Sequence, residues 1–347
     1  MHKITRACAF AALSLTLPAV GQAPASIFPA PARIAAVAAQ PGWGGFGAVC
    51  QQDLKLQPEP LGDVSPAGHY ESKGAKTNVA EAIKREAYAA YHLSVCYQIG
   101  KDRRYAVKAE NLLDSWASTT TGIGTLQGED EFNFNGPYAL MAAYSLKQDA
   151  AWNSAPFADF VRAKLVPVIH AKLENNHGNW GVLFEASIGA FLDDRALIDA
   201  SRDRWLELMH KQVASDGSFP LEICRSDTTN WCGGATKGIN GLSYEHWTLT
   251  PIALAAEIFR SLGLDVYQTP EGQTLRLAYH RAATWTAAPE TFPYYAANHG
   301  HLNGVRNAAY FYILQTVYPE PAGAAILNSA DGVKNDELKL RALYGGR

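Results

Sequence analysis

Three separated stretches of this 347-residue chain carry side chains suited to moving protons. The first, Glu174-Asn175-Asn176-His177-Gly178-Asn179-Trp180, packs amides, an imidazole and an indole into a Gly-containing segment. The second runs from Asp216 to a guanidinium at Arg225, and the third, Leu242-Ser243-Tyr244, ends in a phenol. A neutral imidazole, with an ordinary pKa of about 6.5, accepts a proton near neutrality, and a phenol of about 10 can return one. A guanidinium grips a carboxylate through paired N–H groups, and an Asn amide adds a neutral donor. Such a set suits proton transfer on an anionic compound and calls for no cofactor and no metal. A polar turn with a capping Asn would explain the first stretch by itself, because Asn and Gly suit helix boundaries. Arg225 and Tyr244 move the reading toward a site.

These residues need helices to position them. The His177 stretch reads as a corner between a helical run over Phe157–Leu173 and another over Gly181–Leu192. Asn78 and Glu81 make a capping-box start for a helix to Gly100, striped by Val79, Ile83, Ala87, Ala90 and Val95. Further helices are expected over Asp102–Ala117, Tyr138–Leu146, Arg195–Val213, Leu242–Leu262 with a restart at Thr250-Pro251, Gln273–Trp285 and Val305–Val317. Thr119–Gly128 reads as a loop, Asp216-Gly217-Ser218 as a turn and Phe219–Gly241 as irregular. Alternating strand patterns are absent. Helices joined by short turns form antiparallel pairs. The expected fold is all-α, an (α/α) toroid or incomplete barrel around a groove, with residues 41–347 as one domain.

Met1–Ala23 reads as a secretory signal: Lys3 and Arg6, an apolar run from Ala7 to Val20, then small residues at Gly21 and Ala23. The apolar run is too short for a membrane anchor, since spanning takes about 20 residues. The expected location is periplasmic or secreted. Residues 24–40 are Ala/Pro-rich and read as a flexible lead-in. Without Lys3 and Arg6 the 30 basic residues become 28 against 33 acidic ones. That balance argues against nucleic acid as a partner, while a local basic pocket would still admit an anion. Beyond the signal, Cys50, Cys96, Cys224 and Cys232 remain, and four cysteines allow three disulfide pairings. Cys224–Cys232 would pin a local loop, and Cys50–Cys96 would tie the N-terminal segment to a helix. Asn298-His299-Gly300-His301 has no carboxylate or third ligand close by and reads as a polar loop rather than a metal site.

Taken in order, Asn175-Asn176-His177-Gly178-Asn179-Trp180, Asp216-Gly217-Ser218-Phe219-Pro220-Leu221-Glu222-Ile223-Cys224-Arg225 and Leu242-Ser243-Tyr244 resemble the signature of the alginate lyase superfamily. Leu112–Ala117 and Gly136–Leu140 resemble its earlier helices, so the likeness covers roughly Lys76 to Trp285. The resemblance implies a polysaccharide lyase on an (α/α) toroid, acting on an anionic polysaccharide as a monomer. By position it implies a site of Asn176, His177, Arg225 and Tyr244 around the sugar being cleaved. Asn175, Trp180, Trp231 and Tyr70 are the candidate substrate-binding residues. The chain departs from the pattern in a longer insert, Ser226–Gly241, between Arg225 and Tyr244. The implied chemistry is β-elimination. Asn176 and Arg225 would hold the uronate carboxylate, while His177 and Tyr244, or Tyr244 alone, would serve as base and acid. A glycoside hydrolase would instead need two carboxylates astride the bond, for which Glu129, Asp130, Glu131, Glu185 and Glu222 are available. A non-catalytic sugar-binding protein would need neither set.

Overall fold

The computed structural model describes residues 27–68, 78–148 and 151–345; the segment read as a signal and Tyr70 lie outside them. Helices begin where a short polar side chain can bond the free N–H groups of a first turn. In chain order they are α1 (Pro31–Ala38), α2 (Phe46–Asp53), α3 (Asn78–Gly100), α4 (Arg103–Thr119), α5 (Leu126–Leu146), α6 (Ala155–Phe160) and α7 (Asn176–Leu192). There follow α8 (Arg195–Gln212), α9 (Pro220–Ile223), α10 (Gly241–Ser261), α11 (Pro270–Ala287), α12 (Phe311–Val317), α13 (Pro321–Asn328) and α14 (Leu340–Tyr344). Asp102, Thr125, Asn175, Asp194 and Thr269 each cap the helix that follows by accepting a first-turn N–H. Two short strands, β1 (Asp63–Val64) and β2 (Gly122–Ile123), pair in parallel and fasten the early irregular segment beside the start of α5.

The fold is an (α/α) toroid. Helices α3, α5, α7 and α10 pack in succession, while α4, α8 and α11 pack on α3, α7 and α10 respectively. His246 of α10 meets Phe311 of α12, and α12, α14 and α1 carry the circuit back to α3. Phe28 stacks on Tyr344 with ring centroids 6.4 Å apart, the Arg33 guanidinium lies 4.3 Å from that Tyr344 ring, and Gln40 Nε2 donates to the Ala342 carbonyl at 2.8 Å. The early and late parts of the chain therefore close the ring together. Cys50–Cys96 joins α2 to α3, and Cys224–Cys232 closes a short loop after α9. No described helix is long and apolar enough to cross a membrane.

Several expected boundaries move. The segment read as a flexible lead-in contains α1, whose Ile34 and Val37 are buried together with Ile27 and Phe28. Helix α5 starts at Leu126, not Tyr138, and continues through Pro137. Its Asn133 and Asn135 amides donate to the Glu129 and Glu131 carbonyls one turn back, so a run that looks like a polar loop satisfies itself within a helix. The run Phe157–Leu173 is not one helix: α6 stops at Phe160, a wider turn covers Val161–Leu165, and Pro167 sits in a tight 3-10 turn. Helix α10 does not restart at Pro251; Thr248 and Thr250 bond the Tyr244 and His246 carbonyls as it passes. The last expected helix shortens to Phe311–Val317.

Candidate active site

The His177 stretch is the first turns of α7 rather than a corner before it. Asn175 Oδ1 accepts the His177 N–H at 3.2 Å, which sets the helix start. The chain just upstream runs hard against this turn. A Cβ on Gly178 would lie 2.0 Å from the Leu173 carbonyl oxygen, and one on Gly181 would lie 2.2 Å from the Ala171 nitrogen. Only glycine permits that approach. Arg204 donates to the carbonyls of Ala171, Lys172 and Leu173, so the crossing is bonded as well as close.

The ring encloses a groove of about 1040 Å³. Asp130, Phe134 and Tyr138 line it from α5 at successive four-residue steps; His177 and Trp180 line it from α7; Tyr244 and Trp247 line it from α10. Phe134 lies at the centre of an aromatic cluster, with ring centroids 5.3 Å from His177, 5.7 Å from Trp180 and 5.4 Å from Trp247.

The His177 side chain keeps 30% of its surface exposed, and its Nδ1 lies 2.8 Å from Asp130 Oδ1. The same carboxylate oxygen lies 3.0 Å from His170 Nδ1, and His170 Nε2 is 2.8 Å from Glu129 Oε2. Burial pushes the Asp130 carboxyl up, but the bonds from His170 and His177 outweigh it and hold the group below the ordinary Asp range. At His170 burial acts downward, and the two carboxylates prevail and raise it. Asp130, His170 and His177 also offer ligand atoms within 4.8 Å of one another, the set among the described residues able to hold a metal ion. In this structure those atoms bond one another.

Glu222, 2% exposed, ties the other two segments together. Its carboxylate accepts the Asn176 backbone N–H at 2.9 Å, the Asn176 Nδ2 at 3.1 and 3.0 Å, and Arg225 Nε at 3.0 Å. The Arg225–Glu222 pair is buried, not a surface pair. The Arg225 guanidinium is sandwiched, 4.3 Å from the Trp231 ring and 4.7 Å from the Tyr244 ring. The insert folds back on itself: Ser226 N donates to the Trp231 carbonyl, Gly238 N to Cys224 and Asn240 N to Arg225. That return brings Tyr244 onto Arg225 despite the extra length.

Asn176, His177, Trp180 and Tyr244 thus line one groove, and Arg225 sits behind the Tyr244 ring. The remaining candidates are placed differently. Asn175 is engaged as the helix cap, and its carbonyl accepts from Gln212 Nε2. Trp231, 51% exposed, covers Arg225 rather than lining the groove. Trp180, a candidate for substrate binding, is 1% exposed and lies beneath Trp247, their centroids 4.5 Å apart; Trp247 is 40% exposed and offers the open face. Asp130 and Trp247 lie outside the motifs, and Glu222, inside the second, reads from sequence only as a carboxylate available to a hydrolase. The four-residue spacing of Asp130, Phe134 and Tyr138 would have shown the first, had the helix been extended back to Leu126.

Fold and groove define an all-helical toroid with an aromatic cleft that holds an imidazole, a phenol and a buried guanidinium. The alginate lyase family profile matches residues 29–292, and the chain belongs to that family. A polysaccharide lyase of Stenotrophomonas maltophilia (strain K279a) is 32% identical over 104 residues, which is 30% of this chain and 28% of that protein. The matched stretch thus spans little more than a quarter of that relative. Among solved structures, alginate lyase A1-III from Sphingomonas species A1 superposes with a TM-score of 0.68 at 15% identity, covering 92% of this chain and 95% of the other. A variant of A1-III complexed with a tetrasaccharide gives 0.70 at 15% identity over 92% and 95%. An alginate lyase from Bacteroides ovatus gives 0.65 at 16% identity over 92% and 98%. At these identities the likeness speaks to the fold.

Proposed function

We propose that the protein is a polysaccharide lyase that cleaves a uronate polymer, alginate or a related polyuronate, by β-elimination. The observation that carries this reading is the convergence of His177 and Tyr244 on one groove, with Arg225 against the Tyr244 ring and Asn176 bound to Arg225 through Glu222. In the reaction the C5–H and C4–O bonds break and a C4–C5 double bond forms. The C5 proton is weakly acidic because the developing carbanion lies beside a carboxylate. Donors fixed where that charge collects lower the barrier most. Asn176 supplies one: a single N–H shared between the Glu222 oxygens leaves its second for the sugar carboxylate. Arg225 contributes by its field at Tyr244, where a cation beside the ring favours the phenolate. His177, or ionised Tyr244, takes the C5 proton, and Tyr244 delivers a proton to the leaving oxygen. Trp247 is the platform for a sugar ring. The tetrasaccharide held by the A1-III variant supports a chain-shaped ligand for this groove. The two disulfides support work outside the cytoplasm, and we take the enzyme to act as a monomer.

Ultraviolet absorbance of the new double bond tests the reading on alginate blocks, glucuronan and hyaluronan. Wild-type protein is expected to raise it on at least one, and Tyr244→Phe to lose activity by roughly 10²-fold or more while keeping its helical circular dichroism. Chain cleavage without absorbance would mean hydrolysis. Activity of Tyr244→Phe near the wild-type level would remove Tyr244 from the acid role.

A further inference from the structure

We infer that Asp130 is the positioning residue of the base His177, and that His170, clamped between Asp130 and Glu129, holds Asp130 in place for that task. The inference rests on the proposed role of His177 and extends it to three residues outside the motifs. An ionised carboxylate only accepts hydrogen bonds. With Asp130 Oδ1 at 2.8 Å from His177 Nδ1, the ring proton must sit on Nδ1, so the neutral imidazole carries its lone pair on Nε2. Nδ1 is spent on Asp130, which leaves Nε2 as the nitrogen for a proton taken from substrate. The opposite tautomer would place N–H there and could accept nothing.

Asp130 could not fix this alone. It is 6% exposed, and a buried carboxylate with one partner would be free to turn or to take up a proton. His170 removes both freedoms. Its Nδ1 lies 3.0 Å from the same Oδ1, while its other nitrogen is anchored 2.8 Å from Glu129 Oε2. The His170 backbone N–H is itself bonded to Asn133 Oδ1 at 3.0 Å, and Asn133 Nδ2 bonds the Glu129 and Val168 carbonyls. The whole chain Glu129–His170–Asp130 is therefore braced against α5, the helix that presents Asp130 to the groove.

The test uses the full chain and two readouts. Nitrogen-15 NMR of histidine-labelled wild-type protein is expected to show His177 as the Nδ1–H tautomer at neutral pH. Asp130→Asn turns an amide donor toward the ring and is expected to convert His177 to Nε2–H, to lower kcat by roughly 10²-fold and to leave KM within about threefold. His170→Gln keeps a donor to Asp130 and is expected to lose less. A wild-type His177 found as Nε2–H, or an Asp130→Asn enzyme with kcat within about threefold of wild type, overturns the inference. Wild-type protein inactive on every uronate polymer would instead overturn the proposed function, while the NMR result would still report on the placement of Asp130. If Asp130→Asn fails to fold, the wild-type tautomer and the His170→Gln kinetics decide.

Discussion

Trp180 of α7 and Trp247 of α10 lie with ring centroids 4.5 Å apart, yet their environments give them opposite duties. Trp180 is sealed beneath Phe134 and Trp247, with its indole N–H buried and unpartnered, whereas Trp247 turns an open ring to the groove. On a different footing stands Glu222, a buried anion whose partners come from two segments. Replacing Trp247 with Ala is expected to raise KM about tenfold, equivalent to ~1.4 kcal/mol of binding, with a smaller effect on kcat. Steady-state kinetics on the preferred polymer checks this. Glu222→Ala strands the Arg225 guanidinium and the Asn176 amide in a dry place. Removing one member of such a pair costs about 3–5 kcal/mol, so the urea midpoint should fall clearly, and activity with it.

At the level of elements, burial sets the rules for α10 and α12. His246 is fully buried on α10, its Nδ1 3.1 Å from the Tyr310 hydroxyl and its Nε2 3.0 Å from the Val305 carbonyl. Burial pulls its pKa down to about 4 from an ordinary 6.5. A depressed base gives stability that is present above about 6.5 and is lost as pH falls through about 4. Chemical denaturation between pH 7 and pH 4 should show wild type losing more stability than His246→Gln, which cannot titrate. Equal slopes would mean that this imidazole is not the group responsible. Elements also explain what the sequence disclosed. The starts of α4 and α8 fell within a residue of where they were expected, because each is set locally by a capping Asp, Asp102 or Asp194, beside it. The start of α5 was hidden because Asn133 and Asn135 satisfy themselves by bonds that spacing alone does not reveal. The motifs located His177 and Tyr244, but Asp130 and Trp247 owe their positions to packing between helices far apart in sequence.

On the scale of the whole molecule, the ring depends on a clasp between its first and last described helices. Ile27, Phe28, Ile34 and Val37 are buried there, and such side chains contribute about 1.5–3 kcal/mol each when fully buried. A chain lacking residues 27–40 would uncover the faces of Tyr91 and Tyr344 that Phe28 covers, and is expected to melt at a lower temperature and to bind a hydrophobic dye. An unchanged melting curve would mean that the ring holds without α1.

With Phe28 lying on Tyr344, the two ends of the described chain meet at one point on the rim. A short peptide could bridge them, and the polypeptide could then be reopened at a surface turn elsewhere without cutting through the groove. The order in which the helices are synthesised would change, while the neighbours of every catalytic candidate would stay the same.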